Sequence, residues 1–248
     1  MGIEAEGIIN GITPGEAFSV LVPLEETGIL DRWGVTSVRV VIDDGRNISN
    51  DQRRKVFAII GDITDWLVAP GKGKRTRAEY ETLREMHLLY IIDWLGQGKR
   101  EDAELVRRQL TTHYCEILDA APFSLSNVDM TTARDFIDWL VELCVENGVP
   151  CIDTLLNRCE DIGRYLYACV AHRRCAICGK KADIHEVETV GMGRDRRKIH
   201  HLGQLVQPLC RVHHNEVGQI GQADFDNKYH LEGIRLDENL CEILGWKK

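Results

Sequence analysis

Two short pairs of metal-binding residue types constrain this chain more than anything else in it. Cys175-Ala-Ile-Cys178 is followed about thirty residues later by Cys210-Arg-Val-His213. A two-residue spacer lets both side chains of a pair close on one ion, and two such pairs supply the four ligands of a tetrahedral zinc. The stretch between them is polar and poor in large apolar residues. It cannot bury enough surface to fold unaided, so a metal staple supplies what the core lacks. Cys175, Cys178, Cys210 and His213 are therefore read as ligands of a structural Zn2+. The nine cysteines in all, an odd number in a chain without an export signal, do not read as a disulfide framework. Cys115, Cys144 and Cys169 fall in apolar helical contexts and are expected to be small buried hydrophobes.

Charge divides the chain in the same place. The net charge is −8 overall, yet the stretch from Ala171 to His214 carries nine basic and four acidic side chains, a local +5. A basic patch on an acidic protein is a local electrostatic footprint for polyanions, and the asymmetry points to two parts with different jobs. No apolar run approaches the roughly 18 residues of a membrane span. The N-terminus Met1-Gly2-Ile3-Glu4-Ala5-Glu6 is acidic and lacks a signal peptide's basic start and apolar core, so a cytoplasmic protein is expected, with no membrane partner.

The element pattern is α+β. Ala17–Val22 and Ser37–Ile42 read as strands, followed by a turn at Asp43–Asn47. Ser49 with Gln52 three residues on forms a capping box for a helix carrying Val56, Ile59, Ile60, Ile63 and Leu67 on one face. Phe57 and Trp66 on that helix are expected in the core. A basic loop at Pro70–Arg75, a helix over Ala78–Leu95 and another over Glu101–Leu118 follow. Phe123–Ser126 reads as a short extended piece. A fourth helix is capped by Thr131 or Thr132, runs through Glu146 and stops at Asn147-Gly148. This gives an N-terminal mixed α+β domain over residues 1–150, a connecting helix over 151–174, and a small zinc-stabilised domain over 175–248.

Inside the zinc frame, Ala182-Asp183-Ile184-His185-Glu186-Val187 precedes Leu209-Cys210-x-x-His213-His214-Asn215. With Cys175-x-x-Cys178, these elements resemble the HNH endonuclease family, whose ββα-metal fold wraps one catalytic divalent metal between a histidine-bearing strand and a helix. The resemblance spans about residues 170–235. It implies phosphodiester hydrolysis with Mg2+ or Mn2+, His185 as general base and His214 as ligand of the catalytic metal. A histidine titrates where a base for water must. Many members carry a His-His or Asp-His doublet where this chain has His185-Glu186. By strict register His185 is then a metal ligand and Glu186 stands in the base position, so both assignments stay open. The family's middle asparagine has no evident counterpart: Leu205 stands near that place, with His200, His201 and Gln204 as candidate substitutes. Gly193–Lys198, with Arg194, Arg196, Arg197 and Lys198, is a basic loop suited to phosphate contact.

The N-terminal part carries a second resemblance. Arg46-Asn47-Ile48-Ser49-Asn50-Asp51-Gln52-Arg53-Arg54-Lys55, running on through Phe57 to Gly61-Asp62, is similar to the phage recombination-mediator family known as NinB or Orf. The coverage would be about residues 35–150. It implies binding of single-stranded DNA or its coating single-strand-binding protein, with Arg46, Arg53, Arg54 and Lys55 at a helix start where phosphate is favoured. Together the two resemblances imply a phage-type recombination endonuclease acting on single-stranded or branched DNA in the host cytoplasm. The alternative is a catalytically inactive DNA-binding recombination accessory whose zinc module is structural. A third reading is a zinc-stabilised protein-interaction module that does not bind DNA. A homo-oligomer is compatible with all three.

Overall fold

The computed structural model describes residues 8–13, 17–21, 46–68, 99–187 and 201–247, with single positions Glu81, Arg84, Leu88, Ile91, Trp94, Leu95, Gly96 and Gly98 between. The expected strand at Ser37–Ile42, the basic loop at Pro70–Arg75, most of the helix expected over Ala78–Leu95, His200, and the DNA-contact candidates Arg194, Arg196, Arg197 and Lys198 lie outside the described residues.

β1 (Ile8–Thr13) and β2 (Ala17–Leu21) form an antiparallel hairpin, as the strand pattern at Ala17 led us to expect. α1 (Asn50–Val68) begins at the capping box read from the sequence. The Gln52 amide donates to Ser49 Oγ at 3.0 Å, and the Ser49 amide donates to Gln52 Oε1 at 3.1 Å. The free end of the Gln52 amide then reaches the Met130 carbonyl, 3.1 Å away, joining the start of α1 to the start of α3. Val56, Ile59, Ile60, Ile63 and Leu67 recur every three or four residues, the spacing that puts side chains on one helix face. All are buried against α2 (Lys99–Leu118) and α3 (Met130–Asn147). Trp66 joins them, but Phe57 is 50% exposed and stays outside the core.

The cap of α3 is Asp129, not Thr131 or Thr132: its carboxylate accepts from the Thr132 amide at 2.8 Å. Aspartate takes the position because it sits one residue before the first helical turn with an extended backbone. The helix ends where expected, at Gly148 with φ of 61°, a left-handed position that glycine occupies without strain. Phe123–Ser126 is not a strand: the chain turns there, and Arg53 holds the turn by donating to the Leu125 and Ser126 carbonyls. The 151–174 stretch is one turn of 3-10 helix (Leu155–Asn157), a break, and then α4 (Ile162–Ala171). At the break Arg158 turns back to pair with Asp62 of α1 at 2.6 Å, both side chains nearly buried.

Three antiparallel strands follow in the order β3 (Asp183–Glu186), β4 (Leu205–Leu209), β5 (Ile234–Arg235). α5 (Arg211–Ile220), α6 (Gln222–Tyr229) and α7 (Glu238–Leu244) complete the chain. β3, β4 and α5 stand in ββα order. Seven α-helices and these strands make a mixed α+β fold among the described residues. One buried apolar cluster runs from Ile48 and the α1–α3 helices through Tyr165 and Leu166 to Ala176, Leu209, Val217, Phe225 and Leu231. A second packs α7 and Val170 against the opposite side of β3 and β4, through Ile184 and Val206. No helix among the described residues is long and apolar enough to cross a membrane.

Candidate functional site

The two knuckles close on one point. One donor atom from each of Cys175, Cys178, Cys210 and His213 lies within 4.8 Å of the others. Cys178 Sγ stands 3.7 Å from Cys210 Sγ, and His213 Nδ1 stands 3.3 Å from Cys175 Sγ and 3.2 Å from Cys210 Sγ. A tetrahedron built with zinc–sulfur and zinc–nitrogen bonds of ordinary length has edges of about 3.8 Å between sulfurs and about 3.6 Å between sulfur and nitrogen. The donor set and its spacing therefore fit a zinc ion. Burial, with Lys228 and Lys180 adding to it, holds the His213 imidazole below its usual pKa, which favours the neutral ligand form. Burial raises the Cys210 thiol but is outweighed by hydrogen bonds, among them the amides of His213 and Val212 at the start of α5, which leave it below its usual value. Burial pushes Cys178 up, to about 12.

The knuckle backbone is fastened to the helical part. Tyr165 Oη of α4 donates to the Ala176 carbonyl at 2.8 Å, Thr154 Oγ1 donates to the Ile177 carbonyl at 3.0 Å, and the Ala176 amide donates to the Pro208 carbonyl of β4. The cluster thus sits between α4, β4 and the first turn of α5.

That arrangement fixes a second group of side chains. Strand alternation sends Asp183 and His185 to one face of β3 and Ile184 and Glu186 to the other. On the first face His185 meets His214 of α5 edge-on, with ring centroids 4.8 Å apart. Burial, then the neighbouring His185 and Arg211, keeps the His214 pKa low. Arg211 pairs with Asp183 at 3.4 Å beside them. His185 Nε2 lies 2.9 Å from Gln222 Oε1 at the start of α6. Gln222 Nε2 donates to Gln207 Oε1 at 3.0 Å and to Asp226 Oδ1 at 2.8 Å, and Gln207 Nε2 donates to the same Asp226 oxygen at 2.7 Å. Gln207 is the β4 partner directly opposite His185 and is fully buried.

The model of the family described as Putative HNHc nuclease matches residues 86–247. The chain belongs to this family. The match takes in α2 and α3 as well as the cysteine cluster and the His185–His214 face, and membership points to a nuclease, a hydrolase acting on nucleic acid. No match is found among curated proteins or among solved structures. The family match does not reach residues 1–85, and nothing in the comparisons supports the recombination-mediator resemblance read over about residues 35–150, nor a phage or recombination role.

Against this HNH frame, the residues singled out from the sequence divide. The four cluster residues come together, and so do His185 and His214. Glu186 does not join them: it lies on the far face of β3, 4.0 Å from His201 Nδ1. His201 is occupied there by Gln204, 2.9 Å away, and by the Trp246 ring. Of the basic set on α1, Arg53 is committed to the Leu125–Ser126 turn, and Lys55 pairs with Glu160 at 2.7 Å. Arg54 faces outward beside Asp51. Gln207, Gln222 and Asp226 were not legible as site residues. Gln222 reaches His185 from 37 residues downstream, Gln207 stands opposite it on β4, and Asp226 reaches it only through these two amides; glutamine at such distances carries no motif.

Proposed function

We propose that this chain is a metal-dependent DNA endonuclease, that His185 is its general base, and that His214 is the protein ligand of the catalytic divalent ion. The observation that carries the reading is the edge-on pairing of His185 with His214, on a strand and a helix whose junction is pinned by the Cys3His cluster. His214 is held toward the neutral form, so its ring offers a lone pair to a cation. Mg2+ and Mn2+ need few protein ligands in such sites, because substrate phosphate oxygens and water complete their shell. A divalent ion held there supplies charge stabilisation for the phosphoryl group. His185 takes the proton from water, the resulting hydroxide attacks phosphorus, and the P–O bond to the leaving strand breaks. Zinc at Cys175, Cys178, Cys210 and His213 is structural: all four positions are filled by protein, with none left open for substrate.

Single-stranded and branched DNA are the substrates proposed. The outward Arg54 and the basic loop at Arg194, Arg196, Arg197 and Lys198 are the phosphate contacts proposed. The test is cleavage of labelled single-stranded, duplex and branched DNA with Mg2+ or Mn2+, with EDTA and with His185→Ala as controls. We expect cutting that vanishes in both controls, while zinc content stays at one per chain in His185→Ala. Zinc-loaded protein that binds DNA but cuts none of these substrates would overturn the reading in favour of a binding accessory.

A further inference from the structure

We infer that Asp226, acting through the amides of Gln222 and Gln207, fixes which ring nitrogen of His185 carries the proton, so that Nδ1 is the atom left to act as base. The inference rests on the nuclease reading for its consequence, but the proton assignment stands on hydrogen-bond chemistry alone.

An ionised carboxylate only accepts hydrogen bonds, whereas an amide end either donates or accepts. Asp226 Oδ1 faces the terminal nitrogens of both glutamines, at 2.7 Å from Gln207 and 2.8 Å from Gln222. Turning either amide over would set its oxygen against the carboxylate oxygen, with no proton between them. Gln207 is locked twice, since its Nε2 also faces the Leu231 carbonyl at 3.4 Å. Its Oε1 must then accept, and it does so from Gln222 Nε2 at 3.0 Å. With both hydrogens of the Gln222 amide committed to Asp226 and Gln207, its oxygen is the end left for His185, 2.9 Å from Nε2. That oxygen cannot donate, so His185 Nε2 carries the hydrogen. In the neutral ring the lone pair is therefore on Nδ1.

The frame that holds this chain of bonds is rigid. Gln207 is fully buried and lies in register opposite His185 on the neighbouring strand. Gln222 and Asp226 stand one helical turn apart on α6, and Phe225 between them is buried in the main core. The same chain serves the step it prepares. When Nδ1 takes the proton from water and the hydroxide oxygen bonds to phosphorus, the ring becomes an imidazolium. Its Nε2–H still donates to Gln222, whose amide is polarised by the Asp226 carboxylate behind it. The leaving oxygen carries the electron pair of the broken P–O bond and is protonated by solvent. Gln222, Gln207 and Asp226 touch no substrate in this scheme. They are positioning residues.

The experiment is nitrogen-15 magnetic resonance on histidine-labelled, zinc-loaded full-length protein, with the His185 signals identified by their loss in His185→Gln. At a pH where the ring is neutral, Nε2 is expected to be protonated and Nδ1 bare. The reverse pattern in the parent overturns the inference with no variant needed. In Asp226→Asn the side chain both donates and accepts, leaving only the long 3.4 Å contact of Gln207 Nε2 with the Leu231 carbonyl to hold the amides, so a share of the molecules turns them and both ring forms of His185 are expected. In Gln222→Leu the Nε2 hydrogen loses its acceptor and is expected to exchange rapidly with water. For both variants kcat on cleaved DNA falls by about ten- to hundredfold with KM held. An unchanged nitrogen pattern with unchanged kcat in Asp226→Asn overturns the inference. If the parent cuts no DNA, the nuclease reading fails, and the nitrogen pattern still decides this one.

Discussion

Replacing Cys178 with serine separates the contribution of the metal from that of packing. Cys178 is the exposed member of the four-residue cluster, while Cys175 and Cys210 are buried. Losing its sulfur costs little buried surface, and an exposed substitution away from special features changes stability by about 0.5 kcal/mol or less. Its role as a ligand is another matter. The apolar cluster around the knuckles consists of Cys175, Ala182 and Cys210 with Ile177 beside them, too little hydrophobic surface to hold two loops together. Metal bound only to the folded chain adds about 4 kcal/mol when its free concentration is a thousandfold its Kd. The strain of losing it is felt throughout the molecule, because Ala176 and Leu209 flank the cluster and belong to the core that reaches α1. We therefore expect Cys178→Ser to lose about 4 kcal/mol in excess zinc. For a chain of this size that corresponds to roughly 8–16 °C in Tm. The assay is thermal unfolding followed by circular dichroism, for parent and variant, with zinc and with a chelator. In chelator the two should melt within about 1–2 °C of each other. A loss that persists undiminished in chelator, or no loss in zinc, would refute the claim that the cluster stabilises by holding metal. Acid should erode the zinc-dependent part. Burial lowers the His213 pKa below its unfolded value, so its contribution is present above the unfolded pKa and is lost as pH falls toward the folded one.

Two further expectations concern the helical part. Arg158→Ala leaves the buried Asp62 carboxylate without its cation, beside the Ile152 amide 3.3 Å away, and should cost about 3–5 kcal/mol in urea unfolding at constant m-value. The double variant Arg158→Met with Asp62→Asn should recover much of that, and failure to recover would mean the pair acts through something other than charge burial. Ser49→Ala removes the acceptor for the Gln52 amide and should cost about 1 kcal/mol, read as a shift in the urea midpoint, whereas Ser124→Ala on the nearby turn should shift it little.

Several features of this protein are written in short stretches of sequence. The capping box at Ser49 and Gln52 needs only four consecutive residues, because a helix start exposes amides that a side chain three positions away can reach. The two Cys/His knuckles are equally local in each half, and a metal held by all four side chains would enforce the one long-range step. Burial of Cys115, Cys144 and Cys169 followed from their apolar helical neighbours. The opposite faces of His185 and Glu186 follow from the two-residue period of a strand, once β3 is placed.

Only the tertiary structure decided the rest. Asp129 displaced the threonines as the α3 cap through the exact point at which the backbone becomes helical, which propensity alone does not set. Arg53 and Lys55 look on sequence like a basic patch, yet the packing of the 125–126 turn and Glu160 against α1 gives their charges partners inside the molecule. The assembly behind His185 is the clearest case. A strand opposite, a helix 37 residues onward and one carboxylate combine to orient a single ring, and no residue among them carries a recognisable pattern alone. Sequence determines what neighbouring residues do to one another's backbone. Which distant amide faces which lone pair is settled only when buried surfaces have fixed the elements in place, because a hydrogen bond depends on distances and angles that spacing along the chain does not contain.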